Sequence, residues 1–319
     1  MVRALVVLLL VGAGWCQTGG EAQDTGTRTP TAEQLSQLPL AEEQKARLKS
    51  AVAGKDYQAA EEILVPAIEK NPASVELLTF AARIYFLEKN PLNAAIALKK
   101  ADKMRPLGTA ERFSLAMAYL GMGQGAWARP ELERLAQKEP GSSLFLYWLA
   151  RIDYDERKYE AAVKRLRLVT KNSPGLMRAW DNLGLSLEGM GHLDEAVTSY
   201  REAVRLNREQ APHSAWPPVN LATLLTKMGD RKAGEELLRE ALGYDGKLAE
   251  AHYRLGVNLK GQGRNQEALA ELKAAVELDP EATEPLYVLG QMYAAEGNQQ
   301  AATAAFDRFR ALKQKRRKM

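Results

Sequence analysis

Residues 249–282 read AEAHYRLGVNLKGQGRNQEALAELKAAVELDPEA, and residues 283–316 read TEPLYVLGQMYAAEGNQQAATAAFDRFRALKQKR. Laid one above the other, they place Leu255-Gly256 over Leu289-Gly290, Gly263 over Gly297, and Ala268 over Ala302. Self-similarity at this period marks a stacked repeat architecture, in which each unit is one supersecondary element. Working back toward the N-terminus gives 215–248, then 177–210, 143–176, 109–142, 75–108 and 41–74. Eight repeats thus fill 41–316, interrupted once by a four-residue insertion, 211–214.

The register is fixed where sterics are strict. Position 20 is Ala60, Ala94, Ala128, Ala162, Ala196, Gly234, Ala268 and Ala302, all small. Position 8 is Leu48 in the first repeat and then only Ala or Gly, up to Gly290. Position 24 is always large, from Leu64 to Tyr200 and Phe306. Two helices approach closely where both present small side chains, and a large residue fills the space beside that contact. Gly at position 15, as in Gly191 and Gly263, suits the left-handed cap that ends a first helix. Pro at position 32, as in Pro72 and Pro280, stops a second helix. The fold class expected is therefore all-α, built of antiparallel helix pairs.

This pattern resembles the tetratricopeptide repeat family. Its signature is matched best by Trp180, Leu183, Gly184, Ala196, Tyr200 and Ala203, and the resemblance covers residues 41–316. The first repeat matches least, with Arg47 where Leu is expected. The resemblance implies a solenoid wound as a right-handed superhelix, with first helices lining a concave groove. Positions 2, 5, 6, 9 and 12 of each first helix would face that groove. Arg83, Phe113, Tyr147, Arg151, Tyr154, Arg178, Asn182, Asn220, Tyr253 and Tyr287 are the candidate partner-binding residues. An Asn amide both donates and accepts, so Asn182 and Asn220 could hold a peptide backbone without demanding one sequence. The family's clamp for a C-terminal carboxylate needs Lys at 5, Asn at 9, Asn at 6, Lys at 2 and Arg at 6 across three repeats. In repeats five to seven only Asn220 and Arg254 match, while Asp181, Leu185 and Glu250 depart.

The ends carry different signals. Residues 1–16, MVRALVVLLLVGAGWC, have Arg3 ahead of an apolar run from Ala4 to Val11 and then small residues. That is the layout of a cleavable secretory signal, and the run is too short to span a bilayer. Secretion or a periplasmic location is expected. Cys16, the one cysteine, opens the alternative of a lipid anchor, although bulky Trp15 departs from that pattern. Residues 17–40 read as a flexible tether with a helical lead-in from Thr31 to Leu40. The tail 313–319 is basic, through Lys313, Lys315, Arg316, Arg317 and Lys318. Its charge of +5, together with the −1 of residues 1–40, makes up the net charge of +4, because the body holds 37 basic and 37 acidic residues. A balanced body argues against a nucleic-acid partner.

Catalytic patterns are missing from the sequence. His192, His213 and His252 show no metal-ligand spacing, and neither a nucleophile elbow nor a phosphate loop occurs. No cofactor and no metal are expected. The reading is a non-catalytic scaffold for a protein or extended peptide outside the cytoplasm. Its alternative is a membrane-associated assembly factor for an envelope or secretion complex, held by lipid at Cys16 or by the basic tail. Two local expectations follow. Arg208 replaces Pro at position 32 of repeat five, so that second helix should run on to about Gln210, before Pro212. Trp216, Pro217 and Pro218 should then lead rigidly into the next helix. Phe309 and Leu312 should form a partly exposed patch on the last repeat, open to a partner or to self-association.

Overall fold

The computed structural model describes residues 30–318; the leader, Cys16 and most of the tether lie outside the described residues. Among the described residues there are seventeen helices and no strand. They fall into two compact units, divided between Glu156 and Arg157.

The N-terminal unit holds α1 (Ala32–Ser36), α2 (Glu42–Ala53), α3 (Tyr57–Lys70), α4 (Val75–Leu87), α5 (Pro91–Met104), α6 (Thr109–Gly121), α7 (Gly125–Lys138) and α8 (Ser143–Asp155). Helix α1 opens with a capping box. Gln34 N donates to Thr31 Oγ1 at 3.2 Å, and Thr31 N donates to Gln34 Oε1 at 3.0 Å. Leu38 behind it is buried in a core with Leu48, Leu64, Leu77 and Phe80.

The C-terminal unit holds α9 (Tyr159–Asn172), α10 (Met177–Gly189), α11 (Leu193–Glu209), α12 (Trp216–Lys227), α13 (Arg231–Tyr244), α14 (Ala249–Gly261), α15 (Asn265–Leu278), α16 (Glu284–Ala295) and α17 (Gln299–Lys318). Helices α10/α11, α12/α13, α14/α15 and α16/α17 pack as hairpins, as do α2/α3, α4/α5 and α6/α7 in the other unit. Within each unit successive hairpins stack on one another, so the architecture is an all-α tetratricopeptide-repeat solenoid.

The small-residue contact does what its chemistry requires. Ala60, Ala94, Ala128, Ala196 and Ala268 have no exposure, and neither does Tyr200. A Cβ added to Gly184 would come within 2.5 Å of the Tyr200 ring, and one on Gly290 within 2.6 Å of Phe306. Glycine at position 8 therefore makes room for the large residue at position 24, an aromatic ring in these two repeats and Leu272 opposite Gly256. The turn between paired helices is left-handed at position 15 in all eight repeats. Gly191 (φ 80°) and Gly263 (φ 78°) take that conformation, and so do Lys55, Lys89 and Arg157 with φ between 57° and 59°.

With Arg208 in place of the stopping proline, α11 runs to seventeen residues, up to the insertion, where neighbouring second helices have fourteen. It stops at Glu209 with Gln210 as its cap, and Trp216 opens α12 with prolines in its first turn. The four extra residues are held in place. Asn207, almost fully buried, donates to Ser214 O at 2.9 Å and accepts from Ser214 N at 2.7 Å. His213 stacks on Tyr244 with ring centroids 4.9 Å apart, and Arg208 forms a two-point ion pair with Glu240.

Candidate functional site

In the C-terminal unit, successive first helices touch one another directly: α10 meets α12, α12 meets α14, and α14 meets α16. This brings positions 5, 6, 9 and 12 of adjacent repeats onto one surface. At its start lie Asp181 and Asn182, both buried, with Asn220 half-buried beside them. Asn182 Nδ2 donates to the Arg178 carbonyl at 2.7 Å. Asn220 Nδ2 donates to both Asp181 carboxylate oxygens at 3.0 and 3.1 Å. Only an amide nitrogen can face a carboxylate, so Asn220 turns its carbonyl oxygen the other way.

Further along, the surface opens. Tyr253, Arg254 and Val257 on α14 are half-buried, and Tyr287 on α16 is 45% exposed. The Arg254 guanidinium lies 5.2 Å from the Tyr253 ring centroid, and its Nε donates to Glu250 at 2.6 Å. Burial, with Glu250 and Glu284 nearby, raises the Tyr253 phenol above its ordinary pKa, against the opposing charge of Arg254. The phenol is thus a hydrogen-bond donor at every physiological pH. Tyr287 is braced from behind by Phe306 and Phe309, at centroid distances of 6.0 and 5.4 Å. Lys260 Nζ reaches Gln291 Oε1 at 3.1 Å, joining α14 to α16. Lys260 and Gln291 were absent from the candidate residues. Their signal in the sequence is a polar residue at positions 12 and 9 of consecutive repeats.

In the N-terminal unit the candidates are less accessible. Phe113 and Tyr147 are only 5% and 4% exposed; Phe113 packs on Phe145 at 5.7 Å and Tyr147 on Trp148 at 5.4 Å. These rings serve the core rather than an open surface. Arg83 is half-buried and reaches Glu111 at 3.5 Å, while Arg151 and Tyr154 are half-buried at the unit's end. Arg178 is half-buried on α10 of the other unit.

Phe309 and Leu312 on α17 are half-buried, and the Lys313 ammonium sits 5.1 Å from the Phe309 ring. The basic residues continue the helix. Lys315 pairs with Glu281 at 3.3 Å and Arg316 donates to the Glu281 carbonyl at 2.7 Å. The histidines have local partners: His192 faces Glu195, His213 faces the Asn207 carbonyl, and His252 faces Glu271 at 2.6 Å. Among the described residues no three His, Cys, Asp or Glu side chains gather to hold a metal, and no helix is long and apolar enough to cross a membrane.

Stacked hairpins with this register define a class of protein. Models of the tetratricopeptide repeat match residues 46–108, 113–176, 177–210 and 253–316. The chain belongs to the tetratricopeptide repeat family. The longest stretch of the repeat region outside those matches, 211–252, holds the insertion and Gly234, yet it also folds as the hairpin α12/α13. No curated protein matches the sequence. Among solved structures, the chain is similar to pilF of Pseudomonas aeruginosa, with 20% identity, a TM-score of 0.56, and coverage of 72% of this chain and 99% of that one. A human IFIT1 dimer with PPP-AAAA is similar at 18% identity and TM-score 0.53, covering 91% of this chain and 72% of the other. MamA from Desulfovibrio magneticus RS-1 aligns over 54% of this chain and 96% of its own, at 19% identity and TM-score 0.48. At these identities the likeness is one of fold.

Proposed function

We propose that this chain is a non-catalytic scaffold that holds an extended segment of a partner protein along the first-helix surface of its C-terminal unit. The observation that carries the reading is the pair Tyr253 and Tyr287. They stand at the same register position of adjacent repeats, ring area accessible, on helices that touch. Partly exposed aromatic residues braced by their own repeat provide contact area at small entropic cost. Asn220 adds an acceptor and Tyr253 a donor for a peptide backbone. A family of non-enzymatic repeats and the absence of a catalytic constellation in the sequence support the non-catalytic part.

The scaffold acts outside the cytoplasm in this proposal. The support is the sequence of residues 1–16, with Arg3, the apolar run to Val11 and the small residues after it. A membrane-associated assembly factor is the second reading, and Cys16 directly after the apolar run favours it. Affinity capture with the mature chain, followed by mass spectrometry of what is retained, tests the scaffold. Capture of the same partner by wild type and by Tyr253→Ala/Tyr287→Ala, in equal yield, would place binding elsewhere. Fractionation of the producing cells separates the locations. Release with the soluble extracytoplasmic fraction supports the first, and recovery with membranes supports the second.

A further inference from the structure

Resting on that reading of the surface, we propose that its ligand is a proline-rich segment in the polyproline II conformation. The argument begins with spacing. Helices in direct contact lie about 8–10 Å apart. Tyr253 and Tyr287 hold the same position on α14 and α16, which touch, so the two tyrosines spring from helix axes about that far apart. A polyproline II helix has three residues per turn and rises about 3.1 Å per residue, so equivalent side chains recur about every 9 Å. One residue in three of such a ligand meets Tyr253 and then Tyr287. An extended strand is a poorer match, because same-face side chains recur about every 6.5–7 Å and drift out of step with the rings.

The chemistry of the surface agrees with the spacing. A proline-rich segment has carbonyl acceptors and few N–H donors, and its backbone remains fully solvated. Four groups around the tyrosines donate, the phenols of Tyr253 and Tyr287, the Arg254 guanidinium and the Lys260 ammonium, beside the acceptors Glu250 and Glu284. The raised pKa of the Tyr253 phenol keeps its proton in place. Val257, one turn on from Tyr253, and Val288, next to Tyr287, are both half-buried and offer the ligand's pyrrolidine rings apolar surface. Both tyrosines are also fixed before binding, Tyr253 by Arg254 and Tyr287 by Phe306 and Phe309. Rigid rings that meet a rigid ligand lose little conformational freedom on association.

The test uses the full mature chain, a fluorescent oligoproline of about ten residues, and a Gly-Ser peptide of the same length, read by fluorescence anisotropy. Saturable binding of the oligoproline, with the Gly-Ser peptide at least about tenfold weaker, is expected. Tyr253→Ala and Tyr287→Ala should each weaken it about tenfold, with helicity unchanged by circular dichroism. Tyr253→Phe keeps the ring and should lose less than Tyr253→Ala. Oligoproline binding that is absent, or indifferent to both alanine variants, overturns the proline assignment. A partner captured from cells then separates the two readings. If its retention is lost in the alanine variants while oligoproline does not bind, the surface stands and the proline class falls. If its retention is unchanged, both fall.

Discussion

Asn220 on α12 commits its amide nitrogen to the carboxylate of Asp181 on α10, at 3.0 and 3.1 Å from the two oxygens. Arg254 does the same one repeat later, with Nε 2.6 Å from Glu250. These are the two residues that match the family's carboxylate clamp, and each is occupied by a residue that departs from it. The departing acids thus hold the two remaining clamp residues, Asn220 through its amide nitrogen and Arg254 through Nε. Replacing the departures should open the clamp. The variant Asp181→Lys/Leu185→Asn/Glu250→Lys is expected to bind a peptide with a free C-terminal carboxylate about tenfold or more tighter than its amide, the scale of charge-assisted hydrogen bonds. Wild type should not distinguish acid from amide. Titration of both peptides against both proteins checks this, and equal affinity in the variant contradicts it.

Position 21 of one repeat and position 14 of the next meet across the stack. Arg129 and Glu156 form an ion pair there at 2.9 Å, and Gln262 donates to Glu235 there at 2.9 Å. At the first such junction the residues are Glu61 and Glu88, two carboxylates. Burial first, and then the hydrogen bond and charge of Glu61, push the Glu88 pKa up to about 7. The folded chain thus binds a proton that the unfolded chain, with an ordinary Glu, has released above about pH 4.3. Stability from this site is present at low pH and is lost as pH rises toward 7. Glu88→Gln is expected to raise the melting temperature at pH 7.5 by ~2–4 °C, about 1 kcal/mol after allowance for solvent screening, with little effect at pH 4.5. The same gain at both pH values would count against the shared proton.

Glu235 has the opposite sign. Burial pushes its pKa up, but hydrogen bonds from Gln262, Arg239 and Arg264 outweigh it and bring the carboxyl to about 2. Its contribution is present above the ordinary Glu pKa and is lost as pH falls toward 2. Glu235→Gln should destabilise the C-terminal unit at pH 7 and have almost no effect at pH 2. Urea unfolding at the two pH values measures it, and equal losses at both would refute the assignment.

Gly184→Ala is expected to destabilise by about 1–3 kcal/mol, because the new methyl would lie 2.5 Å from the Tyr200 ring in a closed contact. Tyr200→Leu beside it restores the pairing that Ala116 makes with Leu132, both without exposure. The double variant should be more stable than Gly184→Ala alone. Denaturant midpoints decide it, and simple additivity of the two losses would show that positions 8 and 24 are not coupled.

Much of this was legible in the sequence, for a physical reason. Sterics at positions 8, 20 and 24 admit few residue types, so the register could be read from composition alone, as could the longer α11 that lacks a stopping proline. Side-chain commitment could not. Nothing in the spacing announces that Asp181 takes the Asn220 amide, because the two are 39 residues apart and meet only when α10 and α12 touch. Phe113 and Tyr147 hold groove positions by register but are buried, Phe113 against Phe145 of the next first helix and Tyr147 against Trp148 of its own helix. The left-handed Lys55 and Lys89 were equally hidden, because lysine carries no signature of that conformation.

The most direct test of the central claim is hydrogen exchange of the chain with and without a captured partner. Added protection is expected on the first-helix segments 216–227, 249–261 and 284–295, strongest around Tyr253 and Tyr287, with 231–244 and 265–278 unchanged. Protection confined to the second helices, with none on the first, would contradict the account.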